Sequence, residues 1–156
     1  MKKTNAARIL DRHKVEHEIK TYEVDESDLS ALHVAHETGQ SIEKIFKTLV
    51  LKNNKNNILV ACIPGDRNVN LKSLAKASQN KKVEMIPLKD VQKITGYIRG
   101  GVSPIGMKKS YPTFIHESAL EFDKIYVSAG IRGQQLYLNP KDLIKVVNGT
   151  VANIIE

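Results

Sequence analysis

Stretches in which apolar residues recur every three or four positions trade places along this chain with stretches in which they recur every second position. The first period marks one face of a helix, the second one face of a strand. Ala6, Ala7, Ile9 and Leu10 fall on one side of a first helix, with Thr4 placed to cap it. A short strand is expected over 18–24, followed by an acidic turn over 25–28. Leu29, Leu32, Val34 and Ala35 carry a second helix that Gly39 is suited to close in the left-handed conformation. Ser41 caps a brief turn over 42–45. Strands over 46–51 and 58–63 read as a hairpin joined through the Asn-rich turn 53–57. Asn70 caps a helix containing Leu71, Leu74 and Ala75, a strand follows over 83–86, and a helix over 88–94. The last third holds three short strands, over 113–116, 124–128 and 135–138. Asn139-Pro140-Lys141-Asp142 then opens a helix with a cap, a proline at its first position and an acid in its first turn, and a final strand is expected over 151–154.

Many short strands with short helices between them, and no long crossover helices, argue for an α+β fold: a curved, barrel-like mixed β-sheet flanked by short helices. The 156 residues suit one domain, 1–156, and 41% apolar with 26% charged residues is a globular composition. Twenty-four Lys and Arg against 17 Asp and Glu give a net charge of +7, which either attracts a polyanion such as nucleic acid or only keeps the surface soluble. The single cysteine, Cys62, rules out an internal disulfide. Met1 to Asn5 lead into an amphipathic segment, and no apolar run is long enough to span a membrane. A cytoplasmic location with no membrane partner is the expectation.

Lys47 is the most informative residue, because alternation places it with Leu49 and Leu51 while Phe46, Thr48 and Val50 take the other face. An inward ammonium there needs an anionic partner, such as a carboxylate or a ligand phosphate; a lysine near a strand's start also reaches water by snorkelling. From Gly96 to Lys109, four glycines and Pro104 crowd one loop. Its backbone N–H groups suit an anion or a developing oxyanion, with Lys108 and Lys109 adding attraction for phosphate; a tight turn with a basic edge explains the same residues. Neither a Walker loop nor a dinucleotide fingerprint is present. Tyr126-Val127-Ser128-Ala129-Gly130-Ile131-Arg132-Gly133 ends a strand in small residues, leaving room for a ligand beside the Ser128 hydroxyl or forming a plain hairpin turn.

His33-x-x-His36 lacks the further ligands a zinc site requires, so no metal is expected. Cys62 lies mid-strand between Ala61 and Ile63, where a cysteine behaves as a small hydrophobe. No Gly-x-Ser-x-Gly nucleophile elbow occurs. What remains is a lysine beside a glycine-rich backbone, without an evident protein nucleophile.

Several segments, in order and spacing, resemble the YbaK/EbsC family, related to the inserted editing domain of bacterial prolyl-tRNA synthetases. They are Thr21-Tyr22-Glu23, Phe46-Lys47-Thr48-Leu49, Val69-Asn70-Leu71-Lys72, Lys82-Val83-Glu84-Met85, Thr95-Gly96-Tyr97 and Ile125-Tyr126-Val127-Ser128. Between the last two lies Gly100-Gly101-Val102-Ser103-Pro104-Ile105-Gly106-Met107-Lys108-Lys109, similar to the branch that deacylates Cys-tRNA rather than to alanyl-tRNA editors. The resemblance implies a trans-editing deacylase without cofactor, acting on Cys-tRNA(Pro), with Cys-tRNA(Cys) as a second substrate, with tRNA as partner, a prolyl-tRNA synthetase as a further one and no role for DNA. It assigns Lys47 to the terminal adenosine or its phosphate, and Gly100 and Gly101 to the aminoacyl carbonyl. Tyr22, Thr48, Ser103, Pro104, Ser128, Gly130 and Arg132 would shape the substrate pocket, and Lys108 and Lys109 would meet tRNA phosphates. In this family the substrate's own thiol attacks the ester, which accounts for the missing nucleophile. Arg99 before the glycine pair and Ala129 after Ser128 depart from the family pattern. The rival readings are a deacylase for alanyl-tRNA or another small aminoacyl-tRNA, and a non-catalytic RNA-binding module.

Overall fold

The computed structural model describes residues 3–156; Met1 and Lys2, which open the polar N-terminal run, lie outside the described residues. Helix α1 spans Asn5–Arg12 behind Thr4, whose side-chain oxygen accepts from the Ala7 N–H at 3.2 Å. Strand β1 is His17–Thr21. It stops short of the expected 24 because its partner β7 (Gln134–Leu138) begins opposite Thr21, so pairing and not pattern sets the end. Helix α2 (Ala31–Thr38) is capped by Ser30 and closed by Gly39 at φ 68°, where a side chain is disfavoured. A 3-10 turn over Ile42–Lys44 leads into the expected hairpin of β2 (Phe46–Asn53) and β3 (Ile58–Pro64). The Asn53 side chain fixes its turn by accepting from the Lys55 and Asn57 N–H groups.

Asn70 caps α3 (Leu71–Ala77), and β4 follows at Val83–Met85. The helix expected over 88–94 is a 3-10 turn, Leu88–Asp90, running into α4 (Val91–Thr95); Asp90 makes no capping bond and Gly96 at φ 88° ends the element. Then come β5 (Thr113–His116), a 3-10 stretch (Glu117–Glu121), β6 (Ile125–Ser128), β7, α5 (Pro140–Val146) and β8 (Thr150–Ala152).

The strands form two sheets, β1-β7-β6 and the mixed β4-β2-β3-β5-β8. They enclose one core: Phe46, Val60, Cys62 and Ile115 from the larger sheet meet Ile125, Val127, Leu136 and Leu138 from the smaller, with Leu10 of α1. The other face of the larger sheet, Leu51, Leu59, Ala61 and Ile63, is covered by Leu74 and Ala75 of α3. The α+β class and the mixed sheet agree with expectation. The barrel does not: the sheets are joined by the isolated bridge Ile45–Tyr126, and β4 and β6 are too short, at three and four residues, to carry a closed ladder.

Candidate active site

The edge of β2 that faces away from β3 is shared between two partners. At its start Ile45 bridges Tyr126; further on, residues 51–53 pair with β4 and the Ile86 N–H donates to the Val50 carbonyl at 3.2 Å. Between these contacts Lys47, Thr48 and Leu49 line a cavity of about 430 Å³. Leu29, Ser30 and Val34 at the start of α2 form one wall, and Met85, Ile86, Leu88 and Val91 an apolar second one. Arg99, Gly100 and Val102 of the glycine-rich loop, with Ser128 and Gln135 of the smaller sheet, complete it.

Lys47 is half-buried at the start of its strand, in register with Ile63. Both sequence readings hold a part: the residue is near the strand's start, and it lines the cavity. Burial lowers its pKa from the ordinary lysine value, opposed by the charge of Asp66. Among the described residues no carboxylate lies within ion-pair distance of it. The lining holds two cations, Lys47 and Arg99, and neither Asp nor Glu. Such a site favours an anionic ligand.

The glycine-rich loop reaches the cavity through a tight turn in which the Gly101 N–H donates to Ile98 O at 2.9 Å and Gly100 sits at φ 86°. The Gly101 amide is thus used within the turn, and Gly100 is the glycine of the pair at the wall. A Cβ on Gly101 would stand 3.1 Å from the Ile131 backbone, so this loop and the turn after β6 pack main chain against main chain. Arg132 locks the contact, its Nε donating to Arg99 O at 2.9 Å. Ser128 Oγ accepts from the Gly130 N–H at 3.1 Å, which leaves its hydroxyl hydrogen for a ligand.

Lys47, Thr48, Gly100 and Ser128 all line this one cavity. Other nominated residues stand behind the site. Tyr22 packs edge-on against His33 of α2, ring centres 6.4 Å apart. Ser103 is fully buried and its Oγ accepts from the Ile105 N–H. Gly130, at φ 103°, lies against the Tyr97 ring. Pro104 and Lys109 line a separate, smaller cavity with Ile9 and Tyr111, and Lys108 donates to Lys93 O at 3.1 Å. Sequence reasoning missed the apolar wall, which is indistinguishable from core by pattern, and Gln135, whose buried amide oxygen has no partner among the described residues.

Cys62 is completely buried and its thiol is pushed up to about 12, mainly by desolvation. A thiolate does not form there near neutrality. Cys62→Ala is accordingly expected to cost about 1–2 kcal/mol of stability through lost packing while leaving any hydrolytic activity intact, checked by denaturant unfolding beside a rate assay.

A model of the aminoacyl-tRNA editing domain matches residues 26–146. The chain belongs to the aminoacyl-tRNA editing family. An Enterococcus faecalis member, named "Putative Cys-tRNA(Pro)/Cys-tRNA(Cys) deacylase EbsC", is 50% identical over 152 residues, 97% of this chain and 93% of that one. A proline–tRNA ligase of Pelotomaculum thermopropionicum is 37% identical over 70 residues, 45% of this chain and 12% of the ligase. A solved structure titled as "a putative trans-editing enzyme for prolyl tRNA synthetase" superposes with a TM-score of 0.81 at 20% identity, covering 99% of both chains, a likeness of fold.

Proposed function

We propose that the whole chain, 1–156, is a trans-editing domain that hydrolyses the ester of mischarged aminoacyl-tRNA, with cysteine on proline tRNA as its substrate. The observation that carries this reading is a half-buried Lys47 ammonium with no carboxylate partner among the described residues, in a cavity lined also by Thr48, Gly100 and Ser128. The name of the Enterococcus relative supports the choice of cysteine. The substrate's thiol attacks its own ester carbonyl: a carbon–sulfur bond forms, the bond to the ribose oxygen breaks, and the thiol proton passes to that oxygen. Water then opens the thiolactone to free cysteine. This chemistry balances without a metal or organic cofactor and without a protein nucleophile. The domain contributes position and electrostatics: Lys47 holds the terminal nucleotide, the Gly100 loop meets the carbonyl oxygen, and Thr48 and Ser128 bound the small side chain. Tyr22, Gly101, Ser103, Pro104, Gly130 and Arg132 support those groups.

The net charge of +7 guides the acceptor end of tRNA, with Lys108 and Lys109 on its phosphates. A prolyl-tRNA synthetase supplies tRNA identity, and the setting is the cytoplasm. Among the described residues no helix is long and apolar enough to cross a membrane. The thiol step is tested with 2-aminobutyryl-tRNA, which puts a methyl group where the substrate has its thiol and so keeps its size nearly unchanged while lacking the nucleophile. Its rate is expected to fall to background, and cleavage at the cysteinyl rate would show that water attacks directly.

Lys47 also gives a pH dependence. Its pKa is lowered by burial, so it loses its proton at a lower pH than an exposed lysine does. Enzyme-dependent kcat/KM is expected to decline on the alkaline side as the ammonium neutralises. Stability moves the other way: with the folded pKa below the unfolded one, the penalty for burying the charge is present below the folded pKa and is relieved as pH rises. Lys47→Ala is expected to flatten both trends, measured as rate and Tm profiles.

A further inference from the structure

Four of the described lysines are partly buried, and three of them have a partner. Lys44 stands over the Phe122 ring, Nζ 5.8 Å from its centre, and Lys124 over the Tyr137 ring at 5.5 Å. Lys52 Nζ lies 3.8 Å from a Glu84 carboxylate oxygen. Lys47 has neither a ring beneath it nor a carboxylate within ion-pair distance among the described residues, and it alone of the four lines the large cavity. Two conditions turn a lysine amine into a nucleophile: desolvation beside apolar groups, and a second cation close by. The cavity supplies both. Met85, Leu88 and Val91 belong to its apolar wall, and Arg99 is the second cation in a lining without Asp or Glu. Burial lowers the Lys47 pKa in the same direction, with Asp66 opposing it from outside the lining.

The same groups specify the electrophile. Amines of this kind add to carbonyl compounds. The guanidinium of Arg99 favours one that carries a phosphate, and the apolar wall favours one with an apolar body. We infer that Lys47 forms a Schiff base with small phosphorylated aldehydes, which makes the cavity a site of reversible covalent modification. The Nζ lone pair attacks the carbonyl carbon, a C=N bond replaces the C=O bond, and the carbonyl oxygen leaves as water with the two amine hydrogens. Water reverses the step, so no further reactant is consumed. The modification goes beyond the hydrolysis proposed above and does not depend on it, since the amine, the second cation and the apolar wall are enough. A capped Lys47 has no ammonium to offer a nucleotide, so the modified protein cannot hydrolyse its ester substrate.

The test treats the full-length chain with pyridoxal phosphate as the probe, reduces the product with borohydride and locates the label by peptide mass mapping. Lys47 is expected to be labelled about tenfold faster than Lys44, Lys52, Lys124 or any exposed lysine. Pyridoxal, which lacks the phosphate, should label Lys47 about tenfold more slowly, and Arg99→Ala should bring the phosphate compound down to that rate. Lys47→Ala should leave only the slow labelling of the other lysines. If the Arg99 variant fails to fold, the two aldehydes on the wild type decide alone. Label spread evenly over the lysines, or equal rates for the two aldehydes at Lys47, overturns the inference. Hydrolysis of cysteinyl-tRNA by the unlabelled preparation separates the two readings. Hydrolysis without selective labelling overturns the Schiff-base site alone, and selective labelling without hydrolysis supports the site and counts against the deacylase.

Discussion

Replacing Lys47 by Ala is expected to lower kcat/KM for cysteinyl-tRNA by about a hundredfold or more, equivalent to roughly 3 kcal/mol of lost transition-state stabilisation. The ammonium has no carboxylate partner to leave stranded, so its removal unpairs nothing in the fold. Burial already penalises its charge, so the variant is expected to match or slightly exceed the wild type in stability. That combination, large in rate and absent in Tm, separates a ligand-binding lysine from one that only snorkels. Arginine should restore little, because a planar fork does not replace a compact point charge at this half-buried rim. A Tm loss as severe as the rate loss would instead mark Lys47 as structural.

The largest stability effect is expected at Gly65, directly after β3. A Cβ there would lie 2.3 Å from the Ala31 Cβ in the first turn of α2 and 3.2 Å from Ile45 O, and the Gly65 N–H itself donates to Ile45 O at 2.8 Å. Neither neighbour is the free end of a flexible side chain, so Gly65→Ala has to push α2 away from the sheet. The expected cost is about 2–3 kcal/mol, or a fall in Tm of roughly 5–10 °C. Because Leu29, Ser30 and Ala31 line the cavity, the rate should fall with it. Gly39→Ala is the contrast: its Cβ meets nothing within 4 Å, so only the left-handed φ of 68° is strained and the expected loss is about 1 kcal/mol. Thermal melts of the two variants side by side check both figures.

Local features were legible in the sequence because their causes are local. Thr4, Asn70 and Asn139 cap the helices they were expected to cap, and the Asn-rich turn joins β2 to β3. The division into two sheets was not legible. It depends on β1 pairing with β7 and β3 with β5, partners far apart in sequence whose register no period encodes. The site divides in the same way. Lys47 stood out because a charge interrupts an apolar strand, and the glycine-rich loop because Gly is permissive. Which glycine meets the cavity, and that Arg132 serves as a strut on Arg99 O, follows only from two loops touching. Nothing in the sequence marks Met85 and Leu88 as a cavity wall, since a pattern of apolar positions carries no sign of whether a wall is covered.

The most direct test is the rate at which wild type and Lys47→Ala release amino acid from cysteinyl-tRNA and alanyl-tRNA, both charged on the same proline tRNA. Release of cysteine by the wild type, with alanine left at background and cysteine release lost in the variant, is the expected result. Alanine released as fast as cysteine, or neither released, would contradict it: the first would make the domain an editor selecting by size, the second an RNA-binding module.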